Sequence, residues 1–359
     1  MVGVTGIEPV TPSMSTKCSP AELYALKAAV PRGNRSVRSA IREAAGGFKG
    51  ISSEARLALY ICDRTPKGAG EGKVERVFEV LLPEQRRSSA LFNSPHSGSD
   101  YTPDFLRTTS LGPLEIRSSE DAFVDELFAA APAAGAPLMR ATVPRACLDL
   151  NRAADDLDPA LIAGTTRRFL NPRIAAGLGV IPRVVADGRA IVSGKLPLAE
   201  AQRRIAVYWQ PYHDRLAALL AEQQAAFGEA ILYDCHSMPH DALASVPSSW
   251  GRRPDLVLGD RFGASCDRWL MDAATDIFSG AGFVVARNTP FAGGYITQTY
   301  GRPAQRVHAL QIEIDRALYM DEALIRRRPD FADVQARIAT AVAALAALGI
   351  PRLRQVAAE

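Results

Sequence analysis

The chain has 359 residues, 47% of them hydrophobic and 23% charged, which is enough apolar material for one large globular domain or two. Its 42 Lys and Arg against 39 Asp and Glu give a formal charge of +3, and the excess sits wholly in residues 1–73, with 11 basic against 6 acidic; the other 31 against 33 exclude a nucleic-acid-binding surface on the main body. No run of eighteen apolar residues predicts a transmembrane helix, no basic-then-apolar leader is present, and five widely spaced cysteines without a CxxC point away from a zinc finger or disulfide framework and toward a reducing cytoplasm.

Residues 1–73 are poorly patterned. MVGVTGIEPVTPSMSTKCSPAE is rich in Pro, Ser and Thr, LALYICD (57–63) predicts a short strand, and GAGEGK (68–73) reads as a linker. This segment is expected to lie outside the functional domain, either as a mis-called start or as a genuine extension, which leaves 74–359 as the working domain.

From Val74 the periodicity sharpens. VFEVLLP (77–83) alternates and then turns apolar, SSALFNSPHSG (88–98) is an apolar step into a polar turn, and DAFVDELFAAAP (121–132) has helical spacing with acidic residues early. PLMRATVPRACLDLNR (137–152) predicts a strand, a break and a second strand ending in charge. Residues 198–228 form the clearest helical pattern, with a kink or break expected at Pro211. EAILYDCHS (229–237), PDLVLGD (254–260), FVVARN (283–288) and VHALQIEIDR (307–316) predict strands, and 266–282 and 331–350 helices. This alternation is that of an α/β fold with a mixed, largely parallel central sheet flanked by helices, in which ligands bind beyond strand ends.

Polar clusters follow the apolar runs: NSPHSG, DLNR, DCHS and EIDR. His96, with Asp100 four residues on, and His236 could form a two-histidine, one-carboxylate set with an open position, as catalytic zinc sites have. Taken singly, each histidine reads as structural rather than as a ligand. Asp234 is a reserve ligand, expected to point away from His236. Glu313 interrupts an apolar strand and shares a face with Gln311 and Asp315; on an edge strand this is a solvated pattern, while on a central strand the carboxylate needs a partner or a task, such as moving a proton beside a metal. Asn151 and Arg152 offer a donor beside a carboxylate fork, and Arg145 a charge for a scissile carbonyl or a second carboxylate. NTPFAGGYITQTYG (288–301), which contains Tyr295, lacks phosphate-loop spacing and reads as a loop closing over substrate or a plain turn. Ser237 lacks a nucleophile elbow, and Cys235 reads as a core residue. His213 reads as structural, and His240 and His308 as at most supporting residues.

Taken in order, NSPHSGSDYT, VPRACLDLNR, KLPLAEAQRRIAVYWQPYHDRL, DCHSMP, PDLVLGD and NTPFAGGYITQTYG…HALQIEIDRALYMDE resemble the N-formylglutamate amidohydrolase family over roughly Val77 to Asp330. The resemblance implies a zinc-carboxypeptidase-like (phosphorylase/hydrolase-like) fold, similar also to the aspartoacylases. It implies cytoplasmic, zinc-dependent hydrolysis of a small acidic N-acyl amino acid, N-formyl-L-glutamate, as in histidine degradation, with no nucleic-acid or membrane partner. Carried over, His96 and His236 match zinc ligands, one ion per chain, Asn151 and Arg152 the substrate-binding pair with Tyr295 beside them, Arg145 the carbonyl-polarising arginine and Glu313 the proton shuttle. The family's H-x-x-E pattern is broken: Ser99 stands three residues after His96, so Asp100 is expected as the third ligand, and the alternatives are a hydrolase of another N-acyl amino acid or a non-catalytic relative that binds an acidic ligand.

Overall fold

A computed structural model describes residues 76–166, 171–244 and 253–351; the strand expected at 57–63, the linker at 68–73 and the rest of the N-terminal segment lie outside them. In chain order the strands are β1 (Phe78–Leu81), β2 (Ala90–Ser94), β3 (Leu138–Ala141), the two-residue β4 (Ile162–Ala163) and β5 (Leu196–Pro197), which pair with each other, then β6 (Ala230–Met238), β7 (Leu256–Gly259), β8 (Val285–Arg287), β9 (Val307–Asp315) and a second short pair, β10 (Met320–Asp321) and β11 (Arg326–Arg327). The helices are α1 (Pro103–Leu106), α2 (Val124–Leu127), α3 (Pro172–Ala175), α4 (Leu198–Arg204), α5 (Gln210–Phe227), α6 (Arg268–Gly280), α7 (Tyr295–Tyr300) and α8 (Phe331–Leu348).

Seven strands form one sheet in the order β1-β3-β2-β6-β9-β7-β8. The four central strands β3, β2, β6 and β9 are mutually parallel, and the flanks join antiparallel at β1/β3 and β7/β9. This is the expected mixed, largely parallel α/β sheet. It also settles the position of Glu313: β9 lies between β6 and β7, so its carboxylate is on a central strand.

Alternation assigns the two faces. Tyr233 and Cys235 of β6 and Leu310, Ile312 and Ile314 of β9 pack with α2, α6 and α8. Cys235 is buried in that core, as alternation requires. Leu232 and Ala309 face the other layer, built by Tyr212, Leu216 and Leu219 of α5 and by the turns around Leu148, Leu150, Val180 and Ile191. α8 is long and apolar enough by composition to cross a membrane; its Val334, Ile338, Val342 and Leu345 row is buried against the sheet, the pattern of a core helix.

Three local expectations need correction. No second strand follows β3: residues 145–152 form turns, because Cys147 and Leu148 both donate to the carbonyl of Pro144 and curl the chain. The helix expected over 121–132 contracts to α2 plus turns, since Phe123 at φ 67° breaks the helical path and leaves Asp121 outside it. The segment 288–301 is a loop only in its first half and then becomes α7. At Pro211 the irregularity takes the form of a π turn, Ile205–Trp209, just ahead of it, and the helix continues into α5.

Candidate metal centre and catalytic cleft

Parallel pairing brings the polar ends of the apolar strands together. β2 ends at Ser94, and the chain turns sharply to present His96. Gly98 permits that turn: a Cβ there would lie 2.1 Å from the carbonyl oxygen of Val143. β6 places Asp234 and His236 two residues apart on one face, and β9 sets Gln311 and Glu313 opposite them in register.

His96 and His236 converge, both about 2% exposed. Their Nδ1 atoms are 3.1 Å apart, and Asp121 Oδ2 lies 3.3 Å from the first and 3.1 Å from the second. Each ring is held from behind by a carboxylate: His96 Nε2 is 2.8 Å from Asp149 Oδ1, and His236 Nε2 is 2.9 Å from Asp234 Oδ2. Asp149 also accepts from Arg145 Nε at 3.0 Å and from the Asn151 amide at 2.8 Å. Asp234 accepts from Asn93 Nδ2 at 2.9 Å, and Asn93 in turn accepts from the Tyr212 hydroxyl.

This arrangement fits a metal ion. Carboxylates behind the rings draw the imidazole protons to Nε2 and turn both Nδ1 lone pairs, with a carboxylate oxygen, toward one point. With Nδ1 unprotonated, buried acceptors so close need a cation between them, either the proton of the bonds the rings give Asp121 or a metal ion in its place. Burial opposes ionisation of Asp121, but the bonds from His236 and His96 outweigh it and hold the carboxyl well below its ordinary range. On His236 burial opposes charge, and the Asp234 carboxylate and the Asp121 bond overcome it and raise the pKa well above the usual histidine value. The donor set His96, Asp121 and His236, two nitrogens and an oxygen, could hold a metal ion with a position left open.

Asp100, the expected third ligand, is outside this cluster. It is exposed, and its amide donates to the Thr142 carbonyl, because the chain leaves the centre after Ser97. Asp121 completes the cluster instead, tied to His96 by its own amide, which donates to the His96 carbonyl at 3.0 Å. Asp234 does not point away from His236: residues two apart on a strand share a face, and it orients the ring.

Glu313 is buried, and Gln311 Nε2 donates to its Oε1 at 2.9 Å. Burial pushes its pKa up to about 7 against the pull of His236. Arg145 engages only its Nε among the described residues. Arg152 directs Nε to the Leu178 carbonyl and Nη1 to the Asn151 carbonyl, both at 2.9 Å, so its fork is committed to backbone and Nη2 is what remains for a ligand. Asn151 fixes the α7 loop by accepting from the Ile296 amide at 2.8 Å, and its Nδ2 stands 3.3 Å from His236 Nε2. Tyr295 opens α7, with its ring near Trp209 and His213. His213 is buried and bonds the Leu150 carbonyl and the Tyr300 hydroxyl. His240 bonds Asp315, and His308 lies at the far end of β9 from Glu313. Asp149 and Arg316 were not singled out from the sequence. The first was legible in CLDLNR, two positions before Asn151, whereas the second reads as one more charge after a strand.

Fold and site define an α/β protein with a buried donor set able to hold a metal ion. The model of the N-formylglutamate amidohydrolase family matches residues 88–320, and the chain belongs to that family. It is 35% identical over 263 residues to the N-formylglutamate deformylase of Pseudomonas aeruginosa, covering 71% of this chain and 91% of that protein. It is 32% identical over 248 residues to the N-formylglutamate deformylase of Pseudomonas putida, covering 68% and 86%. The crystal structure of N-formylglutamate amidohydrolase from Ralstonia eutropha JMP134 superposes with a TM-score of 0.71 at 36% identity, covering 76% of this chain and 98% of that one. The chain is thus a hydrolase acting on an amide.

Proposed function

We propose that this protein hydrolyses the formamide bond of N-formyl-L-glutamate, releasing formate and L-glutamate, at a single zinc ion held by His96, Asp121 and His236. The observation that carries this reading is the convergence of both Nδ1 atoms and one carboxylate oxygen on a common point, each ring braced by its own carboxylate. Zinc bound there supplies a Lewis acid that polarises a carbonyl and acidifies water.

The chain's own residues complete the reaction. Glu313, with a pKa near neutrality, takes the proton of the attacking water and returns it to the departing amine, so one carboxylate serves as base and then as acid. Gln311 holds its Oε1 and leaves Oε2 for that transfer. Arg145, anchored by Asp149, offers its free guanidinium edge to the oxygen on which charge develops. Arg152 Nη2, Asn151 and Tyr295 serve in this reading as contacts for the substrate's carboxylates. In this reading Asp121 supplies the carboxylate that Ser99 leaves missing from the family's pattern, and a purified protein that takes up no metal would favour the non-catalytic alternative.

E313Q is the test. The variant should retain about one zinc per chain and lose formate release by about a thousandfold or more; normal turnover in E313Q would remove Glu313 from the mechanism. A panel of formyl, acetyl and succinyl glutamate reads the acyl preference in the same assay, with the formyl compound expected to turn over fastest.

A further inference from the structure

Asp121 has two oxygens, and only one of them faces the histidines. Oδ2 lies 3.1 Å from His236 Nδ1, while Oδ1 receives Arg316 Nη2 at 2.9 Å. The guanidinium is itself immobilised: Nε donates to Ser237 Oγ at 3.2 Å, Nη1 donates to the Ser118 carbonyl at 3.3 Å, and the residue is 5% exposed. These partners are not scattered. Ser237 follows the ligand His236, Ser118 precedes the ligand Asp121 by three residues, and Arg316 itself starts the turn directly after β9, the strand that carries Glu313.

We propose that Arg316 restricts Asp121 to a single metal-binding oxygen and so sets the coordination number of the centre. The assignment rests on the metal reading above and goes beyond it. A carboxylate can bind a cation through one oxygen or two. Here a swing of Oδ1 toward the centre would break a buried, charge-assisted bond and leave a guanidinium nitrogen without its acceptor. With one oxygen and two nitrogens fixed, positions stay open for water and substrate. Arg316 touches none of the reacting atoms, so it is a positioning residue. Two effects oppose each other in its removal. Losing a positive charge beside the ligand favours a cation, whereas losing the brace releases the ligand, and the geometry of three anchored nitrogens makes the second the larger.

The experiment strips the protein with a chelator and titrates it with Zn2+ and Co2+ in competition with a chromophoric chelator, for wild type, R316K and R316M. Wild type should bind one Co2+ with the intense visible bands of a four-coordinate ion. R316M should bind both metals about ten- to a hundredfold more weakly, with bands weakened as Oδ1 enters the coordination sphere. R316K keeps the charge but cannot serve three acceptors in one plane, and it should lie between the two. Should R316M fail to fold, R316K decides on the same two readouts. Variants with wild-type affinity and spectrum, or with tighter binding, would overturn the assignment while leaving the metal reading intact. A wild-type protein that takes up no metal would overturn both.

Discussion

Asp234 offers the sharpest test of how the chain prepares His236. The carboxylate is fully buried and accepts two bonds, from His236 Nε2 at 2.9 Å and from Asn93 Nδ2 at 2.9 Å. In D234N the shape is kept, but an amide has only one accepting oxygen. Asn93 cannot turn to help, because its own oxygen is held by the Tyr212 hydroxyl. The new amide must therefore direct its NH2 at His236 Nε2, which then becomes an acceptor and moves the ring proton to Nδ1. That proton occupies the lone pair aimed at Asp121 and His96. The cost should follow that of other residues that orient metal-binding histidines, a loss of about ten- to a hundredfold in metal affinity, or roughly 1.4–2.8 kcal/mol. Competition with a chelator measures the affinity, and nitrogen NMR of the imidazole reads the tautomer. D234N with wild-type zinc affinity and an Nε2–H tautomer would refute the reasoning.

Two further outcomes follow from single contacts. A Cβ in G294A would sit 2.4 Å from Asn151 Nδ2, so Asn151 must move and release the Ile296 amide; kcat/KM for N-formylglutamate should fall about a hundredfold with circular dichroism unchanged, and wild-type kinetics would contradict the packing argument. Burial pushes the pKa of His213 down to about 4. Because the unfolded residue, near 6.5, takes up its proton first, stability is full above pH 6.5 and falls by about 3 kcal/mol as the pH drops toward 4. Urea unfolding of the metal-free protein should show this loss flattened in H213Q, whose amide can still donate to Leu150 and accept from Tyr300; equal slopes in the two proteins would exclude His213 as the cause.

Where local pattern and tertiary role coincide, the structure was legible in the sequence. The apolar runs around ILYDCHS and ALQIEID read as strands, and their polar ends meet because the two strands pair in parallel. His96, His236 and Glu313 were visible for that reason. Asp121 was not, because its early-helix context offers a sufficient local explanation for an acidic residue; the left-handed Phe123 that cuts the helix short is a conformation no propensity marks. Asp100 failed for the opposite reason: it is close to His96 in sequence, but the turn through Gly98 packs against Thr142 and Val143 and carries it to the surface. Arg152 shows that residue type alone does not set a role, since its fork is already engaged by two backbone carbonyls.

The central claim is that His96, Asp121 and His236 share one divalent metal ion. The most direct measurement is an anomalous difference map at the zinc edge from crystals of the protein loaded with zinc. The account predicts one peak per chain, at about 2.0–2.2 Å from the Nδ1 atoms of His96 and His236 and from Asp121 Oδ2. A peak bound through Nε2 of either ring, a peak at Asp100, or a loaded crystal with no peak between the two histidines would contradict it.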